Sequence, residues 1–478
     1  MNYYILLGAA TAVIGWLTWR IWRKTRELSF VAGFLLIYYW TLYGGWSIVT
    51  DHLSGRATAR YYYLYDKLFP IELDQHYFLA LLLYALFAIT VALTALLVVK
   101  DPGEAVPRTG PLVISHAVVI GICAVAALLS YAIVRESIQT SLALGQSAYA
   151  STRSGDAGPL FTLHQVLNRV AVLPLALGLA VVASGKSPKW IAGRGSRLHL
   201  VSYLVVLAGM YGYCVMLGNK NELFAGLLTG TLFYLVNARR PRIWLLTSGC
   251  ALSLAMIGVV DWLRGVPIDS VLEELTWSEL GTALINVGSS NEAFGSHFSL
   301  YGVLRFEVPP TYGSSLISLA ASIVPRLFWP DRPPDIYPYY ADSVQAVSGQ
   351  GYTLHHATGW YLNFGVAGVV LGAVTWGWVW ASLFNRFYRP HSVQVTRRFF
   401  TILAPWVFVA GIPSLIRSGI EGYKGLAVDS LLVPTLTLAL THGAVASLTR
   451  IARPASAGRR RIPLGPAAAA GRALGSGS

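Results

Sequence analysis

Polar and apolar positions along the chain fall into long blocks, not the short periods of a water-facing fold. Apolar runs of roughly 20 residues, the length a helix needs to cross the hydrocarbon core of a bilayer, lie near 3–22, 29–50, 76–99, 111–134, 164–184, 198–218, 222–238 and 243–263. Three more follow near 357–381, 399–417 and 426–449. Between the two groups a semi-apolar run at 279–304 is broken by Glu292 and His297, and a short apolar run occupies 313–328. This pair reads either as re-entrant or as two further spans. The pattern predicts an all-α polytopic membrane protein with 11–13 transmembrane helices. One transmembrane domain covers 1–452, including the irregular region 264–328 and the outer loop 329–356, and the Ala/Gly-rich basic tail 453–478 is expected to be disordered.

Composition sharpens this. The 478 residues are 55% hydrophobic and only 12% charged, with a mean hydropathy of +0.54; soluble chains carry about 25% charged residues. So few charges cannot cover a fold of this size in water, whereas lipid makes the covering unnecessary. Cys123, Cys214 and Cys250 all lie inside apolar runs, which implies no disulfide framework.

The net charge of +14 would suggest nucleic acid in a soluble protein, but its distribution argues against that partner. Arg20–Arg26, Lys100–Arg108, Lys186–Arg197, Arg239–Arg242, Arg386–Arg398 and the region from Arg450 onward hold 23 of the 36 Lys and Arg. Among the 22 acids only Glu27, Asp101 and Glu104 lie in or beside them. Positive charge gathers on the cytoplasmic side of membrane proteins, so the N-terminus is expected outside and the C-terminus in the cytoplasm. The first run begins at Tyr3 without a basic segment before it, so it reads as a first span and not as a cleaved signal. The 15 Trp and 26 Tyr fit interfacial belts, although the same rings also stack on sugar faces.

The loops 51–75, 135–163 and 329–356 fall on the outer side, where function most often sits on such a scaffold. Five cations stand out on that half: Arg135 ending the fourth span, Arg169 one turn into the fifth, Lys220 in a tight turn, Arg326 closing the 313–328 run, and Arg417 ending the penultimate span. Each alone reads equally as a snorkelling or helix-end charge. Together they resemble a pocket for a multiply charged anion, since phosphate recognition favours several cations and Arg forks. Gln165, Asn168 and Arg169 are expected to share one helix face. Glu292, Asp331, His355 and His356 are candidate general bases. There is no cluster at metal-ligand spacing, no phosphate-binding loop and no dinucleotide fingerprint, so no cofactor or metal is expected.

The run Tyr312-Gly313-Ser314-Ser315, then Val324-Pro325-Arg326-Leu327-Phe328-Trp329-Pro330-Asp331-Arg332-Pro333, resembles the Pro-Arg-apolar-Trp-Pro-x-Lys-Pro signature of Wzy-type oligosaccharide repeat unit polymerases. The Gly-rich start of the next span at Trp360–Gly368, the turn Gly218-Asn219-Lys220 and the site Arg417-Ser418-Gly419 are similar as well. Lys220 stands where that family more often has Arg, and Arg332 where it more often has Lys; both keep the charge. The strong part covers about 60 residues.

The resemblance implies a GT-C-like helical bundle in the bacterial inner membrane that works as an inverting glycosyltransferase. It would polymerise undecaprenyl-pyrophosphate-linked oligosaccharide repeat units into an O-antigen, capsule or exopolysaccharide at the outer face, releasing undecaprenyl pyrophosphate. Membrane lipid, a chain-length regulator and a flippase are the partners it implies. Arg169, Lys220, Arg326, Arg417 and Arg135 would then hold pyrophosphate, and Glu292, His356 or His355 would serve as base. An O-antigen ligase-like transferase uses similar chemistry. A transporter or flippase for lipid-linked oligosaccharide should show internal repeats, and the chain shows none.

Overall fold

The computed structural model describes residues 2–54, 71–101, 111–143, 158–185, 188–217, 221–242, 244, 247–249, 251, 295–324, 329, 331–334, 336–345, 353–388 and 394–451. Among them, eight helices are long and apolar enough to cross a membrane, and the chain is a helical, multi-pass membrane protein.

The helices are α1 (Asn2–Thr25), α2 (Leu28–Leu53), α3 (Gln75–Val98), α4 (His116–Ala143), α5 (Gly158–Ala183), α6 (Arg197–Met216) and the shorter α7 (Asn221–Asn237). After the break in the described chain come three short helices: α8 (His297–Arg305), α9 (Ser314–Ala321) and α10 (Ile336–Ser343). The bundle is completed by α11 (His356–Phe387), α12 (Val395–Ala410), α13 (Ile412–Arg417) and α14. This last helix opens as Gly422–Lys424, widens into a π-helical Gly425–Leu432 and runs on as Val433–Ile451. Strands β1 (Leu112–Val113) and β2 (Ile191–Ala192) form a short parallel pair.

Predicted spans and helices agree through α6, and again at α11 and α14. The span expected at 399–417 is divided instead, because Gly411 ends α12 and Pro413 opens α13, where its missing N–H costs nothing. At about 1.5 Å per residue, the eight residues of α9 reach only about 12 Å, so the described part of 313–328 does not cross a bilayer. Most of the span expected at 243–263 lies outside the described residues.

Two packed groups form the bundle. In one, α11 lies along α3, which also packs on α1; in the other, α5 is held between α4 and α7. Along α11 a Cβ at Gly377 would come within 2.6 Å of the Val91 carbonyl of α3, so only glycine permits this approach. Trp376, Trp380 and Trp406 are fully buried and pack with Phe30, Phe34, Phe87, Phe384, Phe387 and Phe408. These tryptophans therefore build the core, not an interfacial belt. Large apolar side chains such as Leu97, Leu128, Leu198 and Leu440 face outward, as lipid contact requires.

The long α11 is interrupted near its start. Phe364 and Gly365 leave helical geometry, with Gly365 at φ 61° and ψ −145°, a conformation open to glycine. The Thr311 N–H compensates the break by donating to the Leu362 carbonyl at 2.6 Å. Asn363 adds bonds from its amide to Ser315 and to the Gly359 carbonyl. A stub, His356–Asn363, is thereby set off from the shaft of the helix.

Candidate functional site

The stub carries the two loop histidines. His355 caps α11: its extended backbone lets Nδ1 accept the Ala357 N–H at 3.1 Å. Because Nδ1 is the acceptor, the neutral ring carries its proton on Nε2. His356 is held in the other tautomer. Its Nε2 accepts the Trp360 indole N–H at 3.1 Å, so Nδ1–H donates to the Gly419 carbonyl at 2.7 Å. Both histidines are fully buried. Trp376 and Tyr423 meet the His356 ring edge-on at 4.8 and 5.0 Å.

Through His356 the segment before α11 is stitched to the turn after α13. Leu354 pairs in parallel with Ser418, and the Gly419 N–H donates to the Leu354 carbonyl at 2.8 Å. Gly419 has φ 58°, and a Cβ at Gly359 would stand 3.2 Å from its Cα. The seam thus fixes the turn Arg417-Ser418-Gly419. The Arg417 guanidinium lies over the Trp40 ring, 5.6 Å from its centroid, a stacking suited to a planar cation. Glu421 accepts the Ile336 N–H at 3.1 Å and so ties α10 to the same turn.

A charge cluster follows directly. Asp429, on the π-helical part of α14, pairs with Arg169 of α5 and with Lys424, whose Nζ is 3.1 Å from Oδ2. The carboxylate side chain is 8% exposed, against 26% for Arg169 and 31% for Lys424. Asp429 thereby joins α5 to the start of α14 through two charge-assisted contacts.

Two of the expected cations therefore meet the segment 417–429: Arg417 belongs to it, and Arg169 docks on it through Asp429. Arg135 is placed differently from the expectation. Its helix continues to Ala143, so it ends no helix; it is exposed, and among the described residues no hydrogen bond or ion pair joins it to this segment. Lys220, Arg326 and Glu292 lie outside the described residues. Nor do Asn168 and Arg169 act on one neighbour. Asn168 is buried in a network with Ser130 of α4, His164 and Tyr213 of α6, while Arg169 reaches α14. Arg332, in the Pro-Arg-apolar-Trp-Pro run, donates to the carbonyls of Ser322 and Val324 at 3.0 Å each and holds the end of α9.

Lys424 and Asp429 were not singled out by the sequence reading. The signal is present in the sequence, since Asp429 is the lone acid of an apolar run and intramembrane acids default to function. Among the described residues no group of three or more metal-ligating side chains could hold a metal ion. No family model, curated protein or solved structure matches this chain.

Proposed function

We propose that this protein is a Wzy-type glycosyltransferase with a GT-C-like bundle, placed in a bacterial inner membrane with its N-terminus outside and its C-terminus in the cytoplasm. It joins oligosaccharide repeat units carried on undecaprenyl pyrophosphate. The observation that supports this reading most is the seam that holds Arg417 and the paired histidines together, beside the Arg169–Asp429–Lys424 cluster.

In the reaction an acceptor sugar hydroxyl attacks the anomeric carbon of the donor glycan. The new C–O bond forms as the bond from carbon to the pyrophosphate oxygen breaks, with inversion, and the hydroxyl proton passes to a base. Negative charge grows on the leaving pyrophosphate, and preorganised cations stabilise it best where water is excluded. Arg417 supplies the stacked guanidinium, and Arg169 and Lys424 supply two further cations nearby. Both ring nitrogens of His356 are engaged, so it acts as a positioning residue for the Arg417 turn; Glu292 is left as the proposed base.

The test uses protein in nanodiscs with lipid-pyrophosphate-linked repeat units from its host, EDTA and no nucleotide sugar. A polymer ladder is expected. Arg417→Ala should lower its rate by about 10²–10³-fold, the usual cost of one preorganised donor at a developing anion. No ladder, with the lipid substrate demonstrably bound, would overturn the proposal.

A further inference from the structure

Beside the seam lies a second cluster of polar groups that the mechanism above does not use. It is built from the segments 296–299 and 353–358 around Tyr84 of α3. Tyr84 sits between two imidazoles, with ring centroids 5.0 Å from His297 and 4.4 Å from His355. Its hydroxyl meets the Ser296 and His297 carbonyls at 3.1 and 3.2 Å. The Ser299 hydroxyl accepts the His355 N–H at 3.0 Å and donates to the Ser296 carbonyl at 2.6 Å, with the Thr358 hydroxyl 2.8 Å away. The backbone of this corner is thus well satisfied.

Its side chains are not. His297, fully buried, meets only the Trp40 backbone, without good hydrogen-bond geometry, and among the described residues His355 has no partner for Nε2. Among the described residues the buried hydroxyls of Ser296 and Thr353 also have no partner. Ser296 stands at the start of α8, yet its helical backbone geometry keeps the side chain from capping it. Nearly all buried polar groups in folded proteins find a partner, so these poorly satisfied atoms, gathered in one corner, call for a ligand.

Their chemistry limits what that ligand is. The cap already fixes His355 as a donor at Nε2. A neutral His297 whose N–H faces the Trp40 backbone still has a lone pair to satisfy. A phosphate would answer the N–H groups but not the His297 lone pair, and a cation would do the reverse. Any ion would also sit among the rings of Tyr84 and Phe87, where burying unpaired charge is costly. A neutral hydroxyl both donates and accepts. We infer that His297, His355, Ser296 and Thr353 form a buried hydroxyl-binding site, filled by water or by a carbohydrate hydroxyl.

The inference stands apart from the glycosyltransferase reading, and its test does not measure activity. Thermal melting of the purified protein is followed for Ser296→Ala and Thr353→Val, which remove a hydroxyl without adding bulk, and for Thr353→Ser, which keeps it. An occupied site predicts that each hydroxyl-deleting variant melts about 2 °C lower, roughly one net hydrogen bond in a chain of this size. Thr353→Ser should then stay above Thr353→Val. Unchanged or raised melting in both deletion variants, as expected when a bare buried hydroxyl is removed, would overturn the site. Glucose, galactose, rhamnose and N-acetylglucosamine distinguish the occupants. A sugar that raises melting of the wild type but not of Thr353→Val identifies carbohydrate, and lowered variants with no sugar effect identify water.

Discussion

His356 spends both ring nitrogens on holding two other groups, the Gly419 carbonyl and the Trp360 indole. A histidine used in this way is a strut, and what it supports is the turn that carries Arg417. The tightest point of the turn is Gly419, whose φ of 58° favours glycine. A Cβ there would come 3.1 Å from Leu354 Cδ2 and 3.2 Å from Glu421 Oε2. Gly419→Ala should therefore cost about 1–2 kcal/mol, from left-handed strain and crowding together. The expected result is a lower melting temperature and a reduced polymer yield, whereas Ser418→Ala, at an exposed neighbour, should change neither.

At the scale of elements, α5 and α14 are joined by charge. Removing the Asp429 carboxylate leaves Arg169 and Lys424 facing each other in poorly hydrated surroundings. Asp429→Asn should destabilise by about 2–3 kcal/mol, a little under the range for breaking a fully buried pair. Arg169→Gln in the same chain should recover part of this loss, and a double-mutant cycle in detergent melts measures the coupling. Helix α3 begins with a different device. Asp74 caps it, accepting the Tyr77 N–H at 2.8 Å and meeting His76 Nδ1 at 3.1 Å. Partial burial pushes its carboxyl up, but the bonds from Tyr77 and His76 outweigh this and hold it below the usual carboxylate range. A lowered value in the folded state means that the cap stabilises above the unfolded value and fades as pH falls through the folded one. Asp74→Ala should cost about 1 kcal/mol at neutral pH, and in melts taken at successive pH values the gap should close below about pH 4.

The apolar blocks made most of these helices legible, because a bilayer demands continuous length and hydropathy and both are local properties. The division at Gly411 and the shortness of α9 were written in Pro413 and Gly313, yet hydropathy averaging smooths over single residues. The site was less legible. That Arg169 turns to Asp429, 260 positions away, depends on helix packing that no local pattern encodes. Likewise the two neighbouring histidines differ in tautomer only because one caps a helix and the other faces Gly419 and Trp360.

Among the described residues, Trp376, Trp380 and Trp406 lie in the core while Leu97, Leu128, Leu198 and Leu440 face outward, so lipid bears directly on the shafts of the helices. In α11 the shaft from Val366 to Phe387 measures about 33 Å at 1.5 Å per residue, enough by itself to cross a core of about 30 Å. The interruption at Phe364 and Gly365 lies just outside that length, and it is where we expect a lean of the shaft to be taken up, as at a joint. When a thicker or thinner bilayer forces the shaft to lean, as hydrophobic mismatch does, the lean is absorbed at the joint, while the stub stays anchored to Thr311, Ser315 and Gly419. Polymer yield should then hold nearly constant across nanodiscs of differing acyl-chain length. Gly365→Ala, which strains the backbone at this φ and ψ, should distort the joint and make yield depend on membrane thickness.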